Sequence, residues 1–165
     1  MSQVFVDTSA VLALLNPRDD LHSRARSAFE ALRGAGTGLV TTSYVLVEIY
    51  ALLGRRMGLG AVRACRGDLT PLFEVVWVDE ALHEEALDLL LDRRERGLSL
   101  VDAASFVTMR RLRLERAFAF DRHFEAEGFA FPPNPPPPPA GRAAAAPPPA
   151  LPPPRGRRSP GAAWR

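Results

Sequence analysis

Apolar and polar positions along the chain alternate between two periods. Gln3-Val4-Phe5-Val6 is a short β-prone run that stops at Asp7, and Thr8 and Ser9 follow as N-cap candidates for a helical pattern from Ala10 to Leu15. Pro17-Arg18-Asp19-Asp20 reads as a turn. Over 21–33, Leu21, Ala25, Ala28, Phe29 and Leu32 fall on one helical face. Gly34, Gly36 and Gly38 end that helix. Leu39-Val40-Thr41 predicts a second strand, and Thr42 or Ser43 caps a helix to about Met57 with Val45, Ile49 and Leu52 or Leu53 inward. A short helix is expected over 60–70 and a strand over Phe73 to Val78, with Trp77 in core or interface. A helix follows from Asp79 or Glu80 to about Arg96 with Leu82, Ala86, Leu89 and Leu90 inward, then a helix capped by Ser99. Ala117 to Phe120 predicts a strand ending at Asp121, and Phe129 to Phe131 an edge strand. Strands alternating with helices predict an α/β fold, a three-layer α/β/α sandwich around a central parallel sheet.

Composition divides the chain. Of 16 prolines, 14 lie between Pro132 and Arg165, among Ala, Gly and Arg. Such a segment buries too little apolar surface to offset its ordering entropy. The expected folded domain is therefore 1–131, and 132–165 is expected to be a disordered tail populating polyproline II around Pro135–Pro139. The tail carries five arginines and no acid, so the chain's net charge of +2 leaves −3 for the remainder. The isoelectric point near 9.3 reflects the tail rather than a basic folded surface.

All 21 basic residues are arginine. Mechanisms that need lysine are excluded: the phosphate-loop lysine, Schiff bases, and lysine-assisted phosphoaspartate chemistry. A single cysteine, Cys65, permits no intrachain disulfide and fits a reducing cytoplasm; it reads as a small packing residue. No stretch has the length and apolarity of a membrane span, and the N-terminus lacks the basic region of a signal peptide.

The chemistry rests on four acids. Asp7 and Asp121 end strands, and ligands of open α/β sheets bind outside the carboxyl ends of strands. Glu48 and Asp102 fall in the first turns of helices. Glu48 is a lone acid among Val45, Leu46, Val47 and Ile49, and partial burial would demand a partner for it. Asp102 also fits a capping box with Ser99, and Asp121 an Asp turn. Four converging carboxylates repel and lose hydration unless a hard divalent cation compensates, and such an ion can activate water against a phosphodiester.

The segments V-F-V-D-T-S-A, T-S-Y-V-L-V-E-I-Y, S-L-V-D-A-A-S-F and A-F-A-F-D-R-H-F resemble, in order and spacing over about 1–131, the motifs of PIN-domain ribonucleases of the VapC type, toxins of bacterial toxin–antitoxin pairs. The resemblance places Asp7, Glu48, Asp102 and Asp121 on the family's acidic metal site and Thr8 or Ser9 at its hydroxyl position. It implies Mg²⁺- or Mn²⁺-dependent endoribonuclease activity on RNA, homodimerisation, and neutralisation by a cognate antitoxin. The tail departs from the family pattern. Two alternatives stand beside this reading: a catalytically silent PIN fold that holds RNA or a partner, and a phosphatase using Asp7 as nucleophile. The second lacks a second aspartate two residues on and a lysine for the phosphoryl group. Arg55-Arg56, Arg93-Arg94-Arg96 and Arg110-Arg111-Arg113 are candidate phosphate contacts, weighed against solvated helix ends. His22, His83 and His123 show no metal-ligand spacing. The Gly34–Gly38 stretch lacks G-x-G-x-x-G and precedes a strand rather than a helix, which argues against a phosphate loop.

Overall fold

The computed structural model describes residues 2–93 and 97–129. The expected tail lies outside them. In chain order the elements are β1 (Gln3–Val6), α1 (Thr8–Leu15), α2 (His22–Gly34), β2 (Gly38–Thr42), α3 (Ser43–Met57), α4 (Leu59–Ala64), a π turn (Cys65–Leu69) and a 3₁₀ turn (Thr70–Leu72), β3 (Phe73–Val76), α5 (Glu80–Arg93), α6 (Leu100–Arg111), β4 (Ala117–Phe118) and α7 (Arg122–Ala126).

The four strands form one parallel sheet in the order β3-β2-β1-β4, flanked by helices as the alternating pattern predicts. The chain first moves outward from β1 to β2 and β3, then returns past them to pair β4 with the other side of β1. β1 is therefore the switch strand. Its carboxyl end opens into the crevice where this topology places ligands. Register fixes that end: Val6 pairs with Phe118, and the Asp7 amide donates to the Phe118 carbonyl at 3.0 Å. On the other side Thr41 donates its hydroxyl to the Val6 carbonyl at 2.8 Å, which satisfies both buried groups.

The main core joins the sheet residues Val4, Phe5, Val6 and Val40 to Ala10, Val11, Ile49, Leu53, Phe106 and Phe124. Leu82, Ala86, Ala103, Ala104 and Val107 form a smaller cluster where α5 packs on α6. Cys65 is buried as a packing residue, and burial pushes its thiol up.

Several expectations change. α1 starts at Thr8, and its N-cap is Asp7 rather than Thr8 or Ser9, because the Asp7 carboxylate accepts the Ser9 amide. Thr42 rather than Ser43 caps α3. β3 stops at Val76, and Trp77 is 76% exposed, outside the core. β4 ends at Phe118, three residues short of Asp121. Leu21 is exposed, and Leu53 rather than Leu52 is fully buried. Phe129 is not in a strand; the rest of the expected edge strand lies outside the described residues, as do Arg94 and Arg96. Among the described residues no helix is long and apolar enough to cross a membrane.

Candidate active site

Asp7 anchors the site. It is 4% exposed at the end of the switch strand, where the extended backbone of β1 turns into α1. Its Oδ2 accepts the Ser9 amide at 2.9 Å and the Ser9 hydroxyl at 2.5 Å. Ser9 Oγ in turn accepts the Phe120 amide at 2.9 Å. One hydroxyl thus ties the end of β1 to the segment that leads from β4 to Asp121, a separation of 111 residues in the chain.

Glu48 lies on α3, half-buried as its apolar neighbours predict. Thr8 donates its hydroxyl to Glu48 Oε2 at 2.6 Å. Thr8 and Ser9 therefore divide the work: Ser9 orients Asp7, and Thr8 orients Glu48. Thr42 sets where α3 begins by accepting the Val45 amide through its hydroxyl, and so fixes which turn presents Glu48.

Asp102 is the third residue of α6 and completes a capping box with Ser99. Its Oδ2 accepts the Ser99 amide at 2.8 Å and the Ser99 hydroxyl at 2.7 Å. Capping and proximity to Asp7 coexist. Burial pushes the Asp7 carboxyl up to about 6, against the Ser9 hydrogen bonds, and the Asp102 charge adds to the rise.

Asp121 caps α7, accepting the His123 amide at 2.9 Å on Oδ1, with the His123 Nδ1 2.8 Å away. The turn is held from beneath by Phe124, fully buried against Phe5 and Phe106. His22 and His83 serve packing, bonded to the Ala13 carbonyl and the Tyr44 hydroxyl.

The structure thus links Asp7 to Glu48 through the Thr8–Ser9 dipeptide, to Asp102 through charge, and to the Asp121 segment through Ser9. Among the described residues, no three acidic, histidine or cysteine side chains stand close enough together to enclose a metal ion as they are placed. The donor chemistry nevertheless fits a hard cation. Among the described residues Asp7, Glu48 and Asp102 make no ion pair, so three carboxylates at one sheet edge lack a protein countercharge. Oxygen ligands with uncompensated negative charge are what Mg²⁺ and similar ions select.

Three of the sequence's arginine candidates are committed elsewhere, Arg93 and Arg110 to Glu127 and Arg111 to Glu85, while Arg55, Arg56 and Arg113 make no ion pair among the described residues. The residues that pattern reading passed over are Arg24, Phe120 and Arg122, which line a cavity beside Asp121. Only the placement of Arg122 next to Asp121 gave a signal for them.

This edge, with acids at the switch strand of a parallel sheet, defines an α/β domain of the PIN type. The PIN-domain family model matches residues 4–129, and the chain belongs to that family. It is similar to the "23S rRNA-specific endonuclease VapC20" of Mycobacterium tuberculosis, 38% identical over 127 residues that cover 76% of this chain and 95% of that protein. It is also similar to "Ribonuclease VapC26" of the same organism, 27% identical over 74% of this chain and 90% of that one. The crystal structure of Mycobacterium tuberculosis VapC20, described as a sarcin–ricin loop cleaving toxin, aligns with a TM-score of 0.67 over 77% of this chain and 96% of that one. FitAcB from Neisseria gonorrhoeae shares the fold, with a TM-score of 0.59 at 14% identity over 78% of this chain and 95% of that one.

Proposed function

We propose that this protein is a Mg²⁺-dependent endoribonuclease, the toxin of a toxin–antitoxin pair, acting in the cytoplasm on ribosomal RNA. Mn²⁺ substitutes for Mg²⁺ in this reading. The observation that carries it is the buried Asp7 at the switch strand, beside Glu48 and Asp102, with no ion pair to balance them among the described residues. The similarity to VapC20 over 95% of that protein supports ribosomal RNA as the substrate class.

Asp7, Glu48, Asp102 and Asp121 would hold the cation. When bound, it neutralises the carboxylates, polarises an attacking water and stabilises the oxygen that leaves phosphorus. The chain's own residues do the positioning. Ser9 holds the Asp7 carboxylate, Thr8 holds Glu48, and Ser99 holds Asp102. For Glu48, Asp102 and Asp121, one carboxylate oxygen is committed to a protein donor; among the described residues the other makes no hydrogen bond and is available as a ligand. Homodimerisation and capture by an antitoxin complete the proposal, and the folded unit ends near residue 131.

The test is cleavage of purified ribosomes or total RNA with Mg²⁺, with chelator, and with Asp7→Asn, followed by sequencing of the new RNA ends. Discrete ends that need both Mg²⁺ and Asp7 are expected. Identical ends with chelator or with the variant would defeat the metal-site reading. A silent, binding-only PIN fold draws on the open spacing of the acids. It predicts RNA retention with no new ends in any arm.

A further inference from the structure

Beside the acidic edge lies a cavity of about 240 Å³, lined by Arg24 of α2, Phe120, and Arg122 and Glu125 of α7. It is two hydrogen bonds from Asp7: the Phe120 amide donates to Ser9 Oγ, and the Ser9 hydroxyl donates to Asp7 Oδ2. The Arg24 guanidinium stands over the Phe120 ring, 5.5 Å from its centre. That ring is fixed in turn by an edge-on contact with the buried Phe118 at 6.1 Å. Arg24 and Arg122 are exposed, and among the described residues neither is ion-paired, unlike Arg26, Arg93, Arg110 and Arg111. Glu125 also faces the cavity without an ion pair, so two guanidiniums stand against one carboxylate.

We propose that this cavity is a subsite for an RNA backbone phosphate flanking the scissile bond, with Arg24 and Arg122 as its donors and Phe120 as the platform that aims Arg24. The inference rests on the ribonuclease reading above. A polyanion approaching three uncompensated carboxylates is repelled, so its affinity must come from cationic groups alongside them. A cation–π contact with an aromatic face holds a guanidinium in place and leaves N–H groups free for a phosphate. Lysine, a point charge without a planar fork, would not reproduce this.

The experiment is binding of a labelled ribosomal RNA hairpin to the full chain in EDTA, over a range of KCl concentrations, with cleavage measured in parallel in Mg²⁺. Arg24→Ala and Arg122→Ala should each weaken binding roughly tenfold and flatten the log–log salt slope by about 0.7, the share of one phosphate contact on a single strand. Arg24→Lys should restore the slope but not the affinity, and Phe120→Leu should weaken binding at unchanged slope. Arg26→Ala, on the same helix and paired with Glu30, should match wild type. If wild type binds and cuts RNA while the Arg24 and Arg122 variants match it in affinity and slope, this subsite is refuted alone. If wild type neither binds nor cuts, the ribonuclease reading falls and this one with it. Variants that lose an acidic peptide but keep RNA would assign the cavity to a protein partner and overturn the proposal.

Discussion

Two buried carboxylates treat their charge in opposite ways. Glu127, whose side chain is 5% exposed, is clamped by Arg93 from α5 and Arg110 from α6. Asp7 is as deeply buried, but its partners are neutral: the Ser9 hydroxyl and amide. Its nearest charge effect comes from another acid, Asp102. The first arrangement fastens the end of α7 to two helices. The second leaves negative charge uncompensated, which burial makes costly unless a cation arrives from solution. Burial of an acid therefore says little about function here; the missing countercharge is what separates the two sites.

The sharpest way to break this contrast is to neutralise each acid. Asp7→Asn should reduce RNA cleavage on the order of a hundredfold or more while keeping the fold, because the loss falls on transition-state charge stabilisation. Retained cleavage with unchanged melting would remove Asp7 from the site.

Protonation probes the same residue without mutation. The Asp7 carboxyl titrates at about 6 in the folded chain against 3.8 as its ordinary value. Between those values the folded state binds more protons than the unfolded one, so this residue's contribution to metal-free stability is fully present below pH 3.8 and lost as pH rises through 6. The expected loss is on the order of 3 kcal/mol. Mg²⁺ competes with that proton, so the Mg²⁺-induced rise in melting temperature should grow across the same window. Denaturant melts at several pH values, with Asp7→Asn as the control that lacks this one titration, measure both. A wild-type profile parallel to that control would refute the assignment.

Ser9→Ala should lower activity or Mg²⁺ affinity roughly tenfold, as expected when the hydrogen-bond partner of a metal ligand is removed. Thr8→Ala tests the Glu48 side of the edge in the same way. The smallest effect belongs to the structural acid. Glu127→Gln should cost about 1 kcal/mol of stability, because its arginines are partly exposed and can rehydrate. Cleavage by that variant should be unchanged; a Glu127→Gln variant as inactive as Asp7→Asn would erase the distinction between the two acids.

Much of the fold was legible because the signals are local. β1 is a short β-prone run that ends at the turn chemistry of Asp7-Thr8-Ser9, α2 shows its 3.6 period, and Ser99 with Asp102 spells a capping box that the structure contains. Errors fell where a specific partner overrides a generic local preference. Thr8 and Ser9 are good cap residues, yet their hydroxyls are drawn to Glu48 and Asp7, and Asp7 takes the cap. Trp77 continues an apolar strand pattern, but pairing of β3 with β2 ends at Val76 and leaves the ring exposed.

The site follows the same division. Residue type and order along the chain determined the four candidate acids and the absence of lysine chemistry, because carboxylates and strand–helix periodicity are properties of neighbours in sequence. Tertiary structure alone decided that the Thr8 hydroxyl serves Glu48, that Arg93 and Arg110 are spent on Glu127, and that Arg24 stands over the Phe120 ring beside Asp121. Those contacts join residues far apart in the chain: pairing of β1 with β2 brings Thr8 to Glu48, and the return of β4 to the far side of β1 brings Phe120 to Arg24.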